Sequence, residues 1–204
     1  DVIIICNIDQ GTGEIKLVSV FRDTYLSVSD NGLYNKINQA YFLGGPEQAV
    51  EALNRNLDLQ IDDFATFNWK AVVDAVNILG GVDVELSKAE FYYINAYITE
   101  TVEATGVGSY QLKQAGLNHL DGVQAVAYAR LRKMDTDFAR TERQREIIDL
   151  CFQKLKKSDF AVVNNVMEAV FPQILSSVTI DDIIPAARNL TKYTIADTMG
   201  FPAA

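Results

Sequence analysis

The chain has 204 residues, of which 49% are hydrophobic and 22% are charged, a composition typical of a globular protein with a sizeable core. Its 18 lysines and arginines stand against 27 aspartates and glutamates, giving a formal net charge of -9. This balance disfavours a broad basic face for duplex nucleic acid, but it allows a local anion site. No run reaches the roughly 20 apolar residues that a membrane span needs.

The first elements predict a strand hairpin. Residues 2–8 are apolar apart from Asn7, a pattern typical of a strand that is covered on both faces. Residues 9–13 are rich in turn-forming types, and a second strand is predicted over residues 15–20. Because the chain begins directly on this strand and without Met, we expect a further segment upstream of Asp1.

Helices and strands then alternate. Residues 27–34 read as a polar loop, Gly44-Gly45 ends a short helix, and residues 82–86 alternate as a half-exposed strand. Further helices are predicted from Pro46, from Arg140, and over residues 69–79, 122–129, 159–171 and 181–190, with a short strand near 193–195. This order favours an α/β sheet within a single domain over residues 1–204.

Five arginines are concentrated between Tyr128 and Arg145, which in an acidic chain indicates a bound polyanion. Helical spacing places Arg140 and Gln144 at the head of a buried stripe and predicts that Arg143 and Arg145, on either side of it, face solvent. The stripe comprises Arg140, Gln144, Ile147, Ile148, Cys151 and Leu155. A buried arginine needs a partner, so Arg140 is expected to meet Asp137, a ligand anion, or both.

The other candidate ligands are spread along the chain. Arg130 and Arg132 can hold one anion only if the chain is extended between them. Four arginines and one lysine on separate elements suit a pyrophosphate, which needs several charged donors; they are Arg22, Arg130, Arg132, Arg140 and Lys36. Asp1 could add a carboxylate oxygen for Mg²⁺. Alternatively, the arginines form structural ion pairs with Asp135, Asp137 and Glu142.

The histidine and the cysteines suggest no catalytic or metal site. His119 is the only histidine and has no cysteine cluster nearby, so it is predicted to be a surface residue. Cys6 and Cys151 are predicted to be buried hydrophobic side chains rather than a disulfide bridge.

Six motifs, in order over nearly the whole chain, resemble the LytR-CpsA-Psr family. They are Asp1 with the run after it, Ser19-Val20-Phe21-Arg22-Asp23-Thr24, Asn35-Lys36-Ile37-Asn38, Leu79-Gly80-Gly81-Val82, the segment 122–130, and Arg140 with Arg143-Gln144. The resemblance implies a three-layer α/β/α sandwich around a central mixed sheet. It also implies that residues 1–204 are one catalytic domain, truncated at its N-terminus, on the extracytoplasmic face of a bacterial membrane behind a transmembrane anchor.

The function implied by the resemblance is that of a phosphotransferase. It would move a glycopolymer, teichoic-acid-like or capsule-like, from a polyprenyl-pyrophosphate carrier to peptidoglycan, with Mg²⁺ as cofactor. Arg22, Arg130, Arg132 and Arg140 would bind the pyrophosphate, with Lys36 and Gln144 in the same site. Arg22, Asp137 and Arg140 would be catalytic, with Asp137 orienting arginines or deprotonating the acceptor, and Asp1 would bind the metal.

The sequence departs from the family at two points. Phe21 stands where the family usually has proline, and the first of its two metal-associated aspartates would lie upstream of Asp1. Two other functions remain open: a non-catalytic or hydrolytic module that binds polyprenyl pyrophosphate, and the DNA-binding transcriptional attenuator of older family descriptions. The net charge of -9 and the lack of a recognisable recognition helix disfavour the attenuator.

Overall fold

The computed structural model describes residues 2–133 and 136–202. Asp1, the predicted metal ligand, and Asp135 lie outside the described residues. The strands are β1 (Ile3–Ile8), β2 (Glu14–Val20), β3 (Tyr25–Ser27), β4 (Tyr34–Lys36), β5 (Ala65–Phe67), β6 (Val82–Leu86), β7 (Gly116–Leu120), β8 (Ile174–Ser176) and β9 (Thr194–Phe201). The helices are α1 (Asn38–Leu57), α2 (Trp69–Ile78), α3 (Lys88–Thr105), α4 (Gly122–Arg130), α5 (Asp137–Lys157), α6 (Phe160–Val170) and α7 (Ile180–Arg188).

The chain forms two compact units. Unit 1 consists of Asp1–Thr66 with Leu175–Ala204, and unit 2 is Phe67–Ile174. Helices and strands occur in both units, and unit 1 contains a mixed sheet in the order β1-β2-β9, so the α/β class is confirmed. The assignment of residues 1–204 to a single domain stays a prediction. In the part of the chain that the structure describes, no helix combines the length and hydropathy of a membrane span.

The sheet of unit 1 confirms the predicted hairpin. β1 pairs antiparallel with β2, with Ile3 opposite Val20, and β2 pairs in parallel with β9. The expectation that β1 is covered on both faces was wrong: its second half is exposed, and Ile8 has 51% of its surface accessible. Within the described residues β1 pairs with β2 alone, so it lies at the edge of this sheet, where a strand is covered less than a central one.

A second hairpin in unit 1 contains most of the predicted polar loop, because residues 28–33 connect its two strands. β3 and β4 pair antiparallel over three residue pairs, from Tyr25 opposite Lys36 to Ser27 opposite Tyr34. Helix α1 follows and is interrupted where the sequence predicted, because Gly44 and Gly45 have non-helical backbone angles. The core of this unit comprises Val20, Val28, Ile37, Ala40, Ala52 and Leu53.

Unit 2 packs four helices and a strand pair around one core. Shortly after the end of α2, Gly80 and Gly81 turn the chain, both with positive φ. β6 then alternates between buried and exposed residues as predicted. β6 pairs with β7, which sequence analysis did not predict. α2 and α4 approach so closely that a Cβ added to Gly122 would lie 2.1 Å from the carbonyl oxygen of Val73. Glycine is therefore required there.

Candidate functional site

In unit 2, two arginines converge on one carboxylate. The Nη1 atom of Arg140 lies 3.1 Å from Oδ1 of Asp137, and Nη2 of Arg132 lies 3.7 Å from the same oxygen. The side chain of Arg140 is only 6% exposed, whereas those of Asp137 and Arg132 are 33% and 42% exposed. The predicted contact between Arg140 and Asp137 is confirmed. We call these three residues the Asp137 cluster, which carries one formal positive charge in excess.

The start of α5 positions the Asp137 cluster. Asp137 is in the first turn of this helix, where the helix dipole favours a negative charge, and Arg140 follows one turn later on the same face. Arg132 comes from the segment before α5, in which Leu131 has left the helical conformation with ψ 130°. Helix and connecting segment thus bring the two arginines to the same carboxylate from different directions.

Buried side chains hold the connection between α4 and α5. Arg143 donates from Nη2 to the carbonyl oxygen of Leu131 at 2.7 Å, and Gln144 donates to the carbonyl oxygen of Ala129 at 3.3 Å. The backbone N–H of Arg132 donates to the hydroxyl of Tyr97 at 3.3 Å. The first two contacts satisfy carbonyl groups that a helix end leaves without intrahelical donors. They also fix the backbone on which Arg132 is carried.

The prediction that Arg143 and Arg145 face solvent was wrong, because both are 5% exposed. Arg143 is enclosed by contacts from elsewhere in the unit: its Nη1 atom lies 3.5 Å from Glu90 and its guanidinium stacks on Tyr128. Burial lowers the pKa of Arg145, and the charge of Glu142 opposes this shift. Ile148, assigned to the buried stripe, is instead 37% exposed. The first turns of α5 are therefore covered on more than one face.

Among the described residues, Arg130 and Arg132 contact different carboxylates. Arg130 ends α4 and donates from Nη1 to the hydroxyl of Thr101 at 2.8 Å, and its Nη2 lies 3.6 Å from Glu100. Its guanidinium also stacks on Trp69 at 5.3 Å from the ring centroid. Glu100 is not among the acidic partners considered above for structural ion pairs. The contacts of Arg132 and Arg140 with Asp137 agree with both the ion-pair alternative and the anion-site hypothesis.

Tyr128 is a second buried titratable group close to this connection. Its hydroxyl donates to Oε2 of Glu146 at 2.8 Å. Burial first, and then the hydrogen bond to Glu146, raise the pKa of Tyr128 well above its ordinary value. The phenol therefore remains protonated at any physiological pH, which makes it a fixed donor rather than a general base.

Unit 1 contains a comparable cluster of its own. Asp23 lies between two cations, with Oδ1 at 2.8 Å from Nζ of Lys36 and Oδ2 at 3.7 Å from Nε of Arg22. The turn after β2 creates this arrangement, because Thr24 donates to the carbonyl oxygen of Phe21. Ile37 in turn donates to Thr24, which brings β4 alongside. We call Arg22, Asp23 and Lys36 the Asp23 cluster.

The remaining predictions concern metals, cysteines and the histidine. Within residues 2–133 and 136–202, no group of three or more potential metal-ligand side chains is found, and Asp1 is outside that range. Both cysteines are free as predicted, although Cys6 is exposed rather than buried. His119 is exposed as predicted, and its Nδ1 atom lies 2.6 Å from Asp83 on the paired strand.

Sequence reasoning missed the supporting residues of the site. Glu90 and Tyr97 lie in α3, a helix that was not predicted, and Asp23 was not among the predicted site residues. A signal for α3 was present, because Ser87 and Glu90 have the spacing of a capping box, and the structure contains both of its hydrogen bonds. Recognising that helix would have placed Tyr97 and Thr101 on its buried face.

The chain matches a known protein family. The family model described as LytR_cpsA_psr matches residues 1–199. Among curated relatives, the polyisoprenyl-teichoic acid–peptidoglycan teichoic acid transferase TagU of Halalkalibacterium halodurans is 29% identical over 192 residues, which are 93% of this chain and 58% of TagU. The chain spans about half the length of the curated relatives it matches.

Solved structures are similar over almost the whole chain. The structure of TagT bound to LI-WTA has a TM-score of 0.76 and 25% identity, covering 98% of this chain and 71% of that one. The family protein YwtF (TagT) with bound octaprenyl pyrophosphate lipid has a TM-score of 0.70 at 23% identity, covering 98% and 70%, a likeness of fold. With a family model that matches both units, the chain belongs to the LytR-CpsA-Psr family.

Proposed function

We propose that this chain is the catalytic domain of a phosphotransferase that moves a glycopolymer from a polyprenyl-pyrophosphate carrier to peptidoglycan. The glycopolymer is of the teichoic acid or capsule kind, and the domain acts on the extracytoplasmic face of the membrane. The name of TagU, a teichoic acid transferase with peptidoglycan as acceptor, supports the reaction class. The lipid pyrophosphate bound to YwtF (TagT) supports the carrier.

The Asp137 cluster is the observation that carries the proposal. A pyrophosphate diester bears two negative charges and several oxygen acceptors, and guanidinium groups bind such groups with paired, charge-assisted hydrogen bonds. In the cluster, Arg132 and Arg140 lie within 3.7 Å of one carboxylate oxygen, so a net positive charge is concentrated in a small volume. The exposed part of the cluster is on the side of Arg132, from which the ligand would approach.

The reaction proceeds by displacement at the phosphorus next to the glycan. A sugar hydroxyl of the acceptor attacks that phosphorus, a new P–O bond forms, and the bond to the bridging oxygen breaks. Polyprenyl phosphate leaves with the bridging oxygen, and the hydroxyl proton passes to a base or to water. Arg132 and Arg140 stabilise the negative charge that develops on the phosphoryl oxygens and on the leaving group.

Asp137 is proposed to orient the two arginines. Its carboxylate contacts both guanidinium groups, which supports this positioning role over deprotonation of the acceptor. Gln144 donates to the carbonyl oxygen of Ala129 near the end of α4, and Arg130 donates to Thr101 of α3, so we propose that both support the site. Their predicted contact with the pyrophosphate, and those of Arg22 and Lys36, stay predictions.

Mg²⁺ remains a prediction as well. The residues that the structure describes do not offer a matching set of carboxylates, and Asp1 falls outside them, so no step above passes through a metal. Transfer measured with Mg²⁺, and with a chelator in its place, tests this prediction directly.

The proposal is tested by incubating the chain with a polyprenyl-pyrophosphate-linked oligosaccharide, Mg²⁺ and peptidoglycan. We expect oligosaccharide covalently attached to the peptidoglycan and release of polyprenyl phosphate in equal amount. Free phospho-oligosaccharide would instead indicate a hydrolase, and lipid binding without any product would indicate a non-catalytic module. Either result overturns the proposed transfer.

A further inference from the structure

Two tyrosines of unit 1 form an exposed aromatic surface that the reaction above does not use. Tyr25 and Tyr34 stack with 6.0 Å between ring centroids and 29° between ring planes. They remain 69% and 55% exposed, although burial of two aromatic rings is a large source of stability. We call this pair the tyrosine platform. Exposed aromatic surface that the fold does not bury is a common mark of a binding site.

The backbone beneath the tyrosine platform is held in place. Asn56 of α1 binds the β3 backbone in both directions, accepting from the N–H of Ser27 at 3.0 Å and donating to its carbonyl oxygen at 2.8 Å. Val28, which follows β3, is fully buried and donates its N–H to Leu33. Because the hairpin is anchored to a helix, the rings are carried on an ordered backbone, which lowers the ordering cost of binding.

The strand register places the tyrosine platform beside the Asp23 cluster. Lys36 is directly opposite Tyr25, and Tyr34 is directly opposite Ser27. Directly opposed residues of antiparallel strands point to the same face, and so do residues two apart in one strand. The two tyrosines and Lys36 therefore share a face of the hairpin, and the Lys36 ammonium lies 2.8 Å from Asp23.

We propose that the tyrosine platform is a sugar-binding subsite that receives the glycan strand of the peptidoglycan acceptor. The C–H groups on one face of a pyranose ring carry partial positive charge, which suits the negative face of an aromatic ring. The hydroxyls at the ring edge match the adjacent ammonium and carboxylate, which can donate to them and accept from them. This inference rests on the proposed transferase function.

The solvent exposure of the tyrosine platform favours the peptidoglycan strand over the lipid chain of the donor as its ligand. A peptidoglycan strand is continuous on both sides of the modified sugar, so it must be bound along its length by a surface that is open at both ends. A lipid chain would lack the hydroxyls that Lys36 and Asp23 could bind. Those two side chains are 59% and 36% exposed, so water-accessible hydroxyls can reach them.

Binding is tested first without the lipid donor. The wild-type chain, the variant Tyr25→Ala/Tyr34→Ala and the control Tyr110→Ala are sedimented with insoluble peptidoglycan over a range of peptidoglycan concentrations. Tyr110 is an equally bulky and 85% exposed tyrosine of unit 2. We expect the double variant to bind about tenfold more weakly and the control to bind like the wild type. Equal binding by all three proteins would overturn the inference.

Transfer kinetics separate the acceptor from the donor. We expect the double variant to raise the KM for peptidoglycan about tenfold while the KM for the lipid-linked donor stays unchanged. Tyr34→Trp, which keeps an aromatic face, should retain wild-type values and covers the case in which the alanine variant fails to fold. An increase in the donor KM alone would refute the acceptor role. If the wild type transfers nothing, the proposed function fails, yet the sedimentation result still decides whether the tyrosine platform binds glycan.

Discussion

The two units each place a carboxylate between two cations, but they do so in different surroundings. In the Asp137 cluster, both cations are arginines, and one of them is only 6% exposed. In the Asp23 cluster, one cation is a lysine, and the exposed fractions range from 21% to 59%. The first cluster starts a long helix, whereas the second follows a strand in a tight turn.

This difference separates a fixed site from an adjustable one. A buried guanidinium is costly unless it keeps its partners, and its planar shape imposes a defined direction on each hydrogen bond. A lysine ammonium at the surface is hydrated and can move on its flexible chain. We therefore infer that the Asp137 cluster has the more rigid geometry of the two, and that the Asp23 cluster is free to adjust its geometry.

The largest expected effect is the loss of Arg140. Arg140→Ala should lower transfer by about 10² to 10³-fold, because it removes a positioned cation from the developing phosphoryl charge. The domain should stay folded, since Asp137 keeps Arg132 nearby and is itself 33% exposed. Transfer is measured with the lipid-linked donor, and folding by circular dichroism.

The matched control for Arg140→Ala is Arg188→Ala. Arg188 is an exposed arginine in the last turn of α7, so the variant removes the same charge elsewhere. Its transfer rate should equal that of the wild type. A folded Arg140→Ala protein with full activity would remove the Asp137 cluster from the site.

The next largest effect concerns stability. Arg143→Met should lower the free energy of unfolding by about 3 to 5 kcal/mol, because it leaves Glu90, whose side chain is only 13% exposed, without this cation and removes the bond to the Leu131 carbonyl. Urea denaturation measures the change. Adding Glu90→Gln should recover part of the loss, since glutamine keeps the capping box of α3 while removing the buried charge.

Helical spacing had predicted that Arg143 faces solvent, and that arrangement would give a different result. If this side chain faced water, Arg143→Met would change the free energy of unfolding by no more than about 0.5 kcal/mol. Such a result would restore the solvent-facing prediction and contradict the described contacts. Arg188→Met provides the value for an exposed arginine.

Local sequence signals predicted much of the fold, and they failed where distant residues decide burial. Gly44-Gly45 and Gly80-Gly81 marked helix ends correctly, because their backbone freedom acts within a few residues. Arg140 was placed correctly for the same reason, since its partner Asp137 is three residues away. Arg143 was misplaced because its partners Leu131 and Glu90 are 12 and 53 residues away.

Residue type misled the prediction of two other elements. The segment that forms α3 is rich in tyrosine and threonine, which have modest helix propensity, so its periodic pattern was weak. It is helical in the structure because Ile94, Tyr97 and Ile98 are buried in the core of unit 2. The loop over residues 28–33 was predicted, but β3 and β4 on either side of it were not, since each strand has only three residues.

An exchange of cation type would sharpen the contrast between the clusters. Arg140→Lys should lower kcat/KM for the donor by tens of fold, because an ammonium cannot reproduce the planar pair of donors. Lys36→Arg should change it by less than about threefold, because the exposed position has room for the larger group. Equal effects of the two exchanges would mean that the clusters do not differ as their burial indicates.

The smallest expected effect is that of Lys36 on stability. Lys36→Gln removes the ion pair with Asp23, whose atoms are 2.8 Å apart, but the two side chains are 59% and 36% exposed. Solvent screening reduces such a pair to less than about 1 kcal/mol of the free energy of unfolding, and higher salt should shrink the difference further. A loss of stability comparable to that of Arg143→Met would show that the Asp23 cluster, like Arg143 in unit 2, is part of the structural frame of its unit.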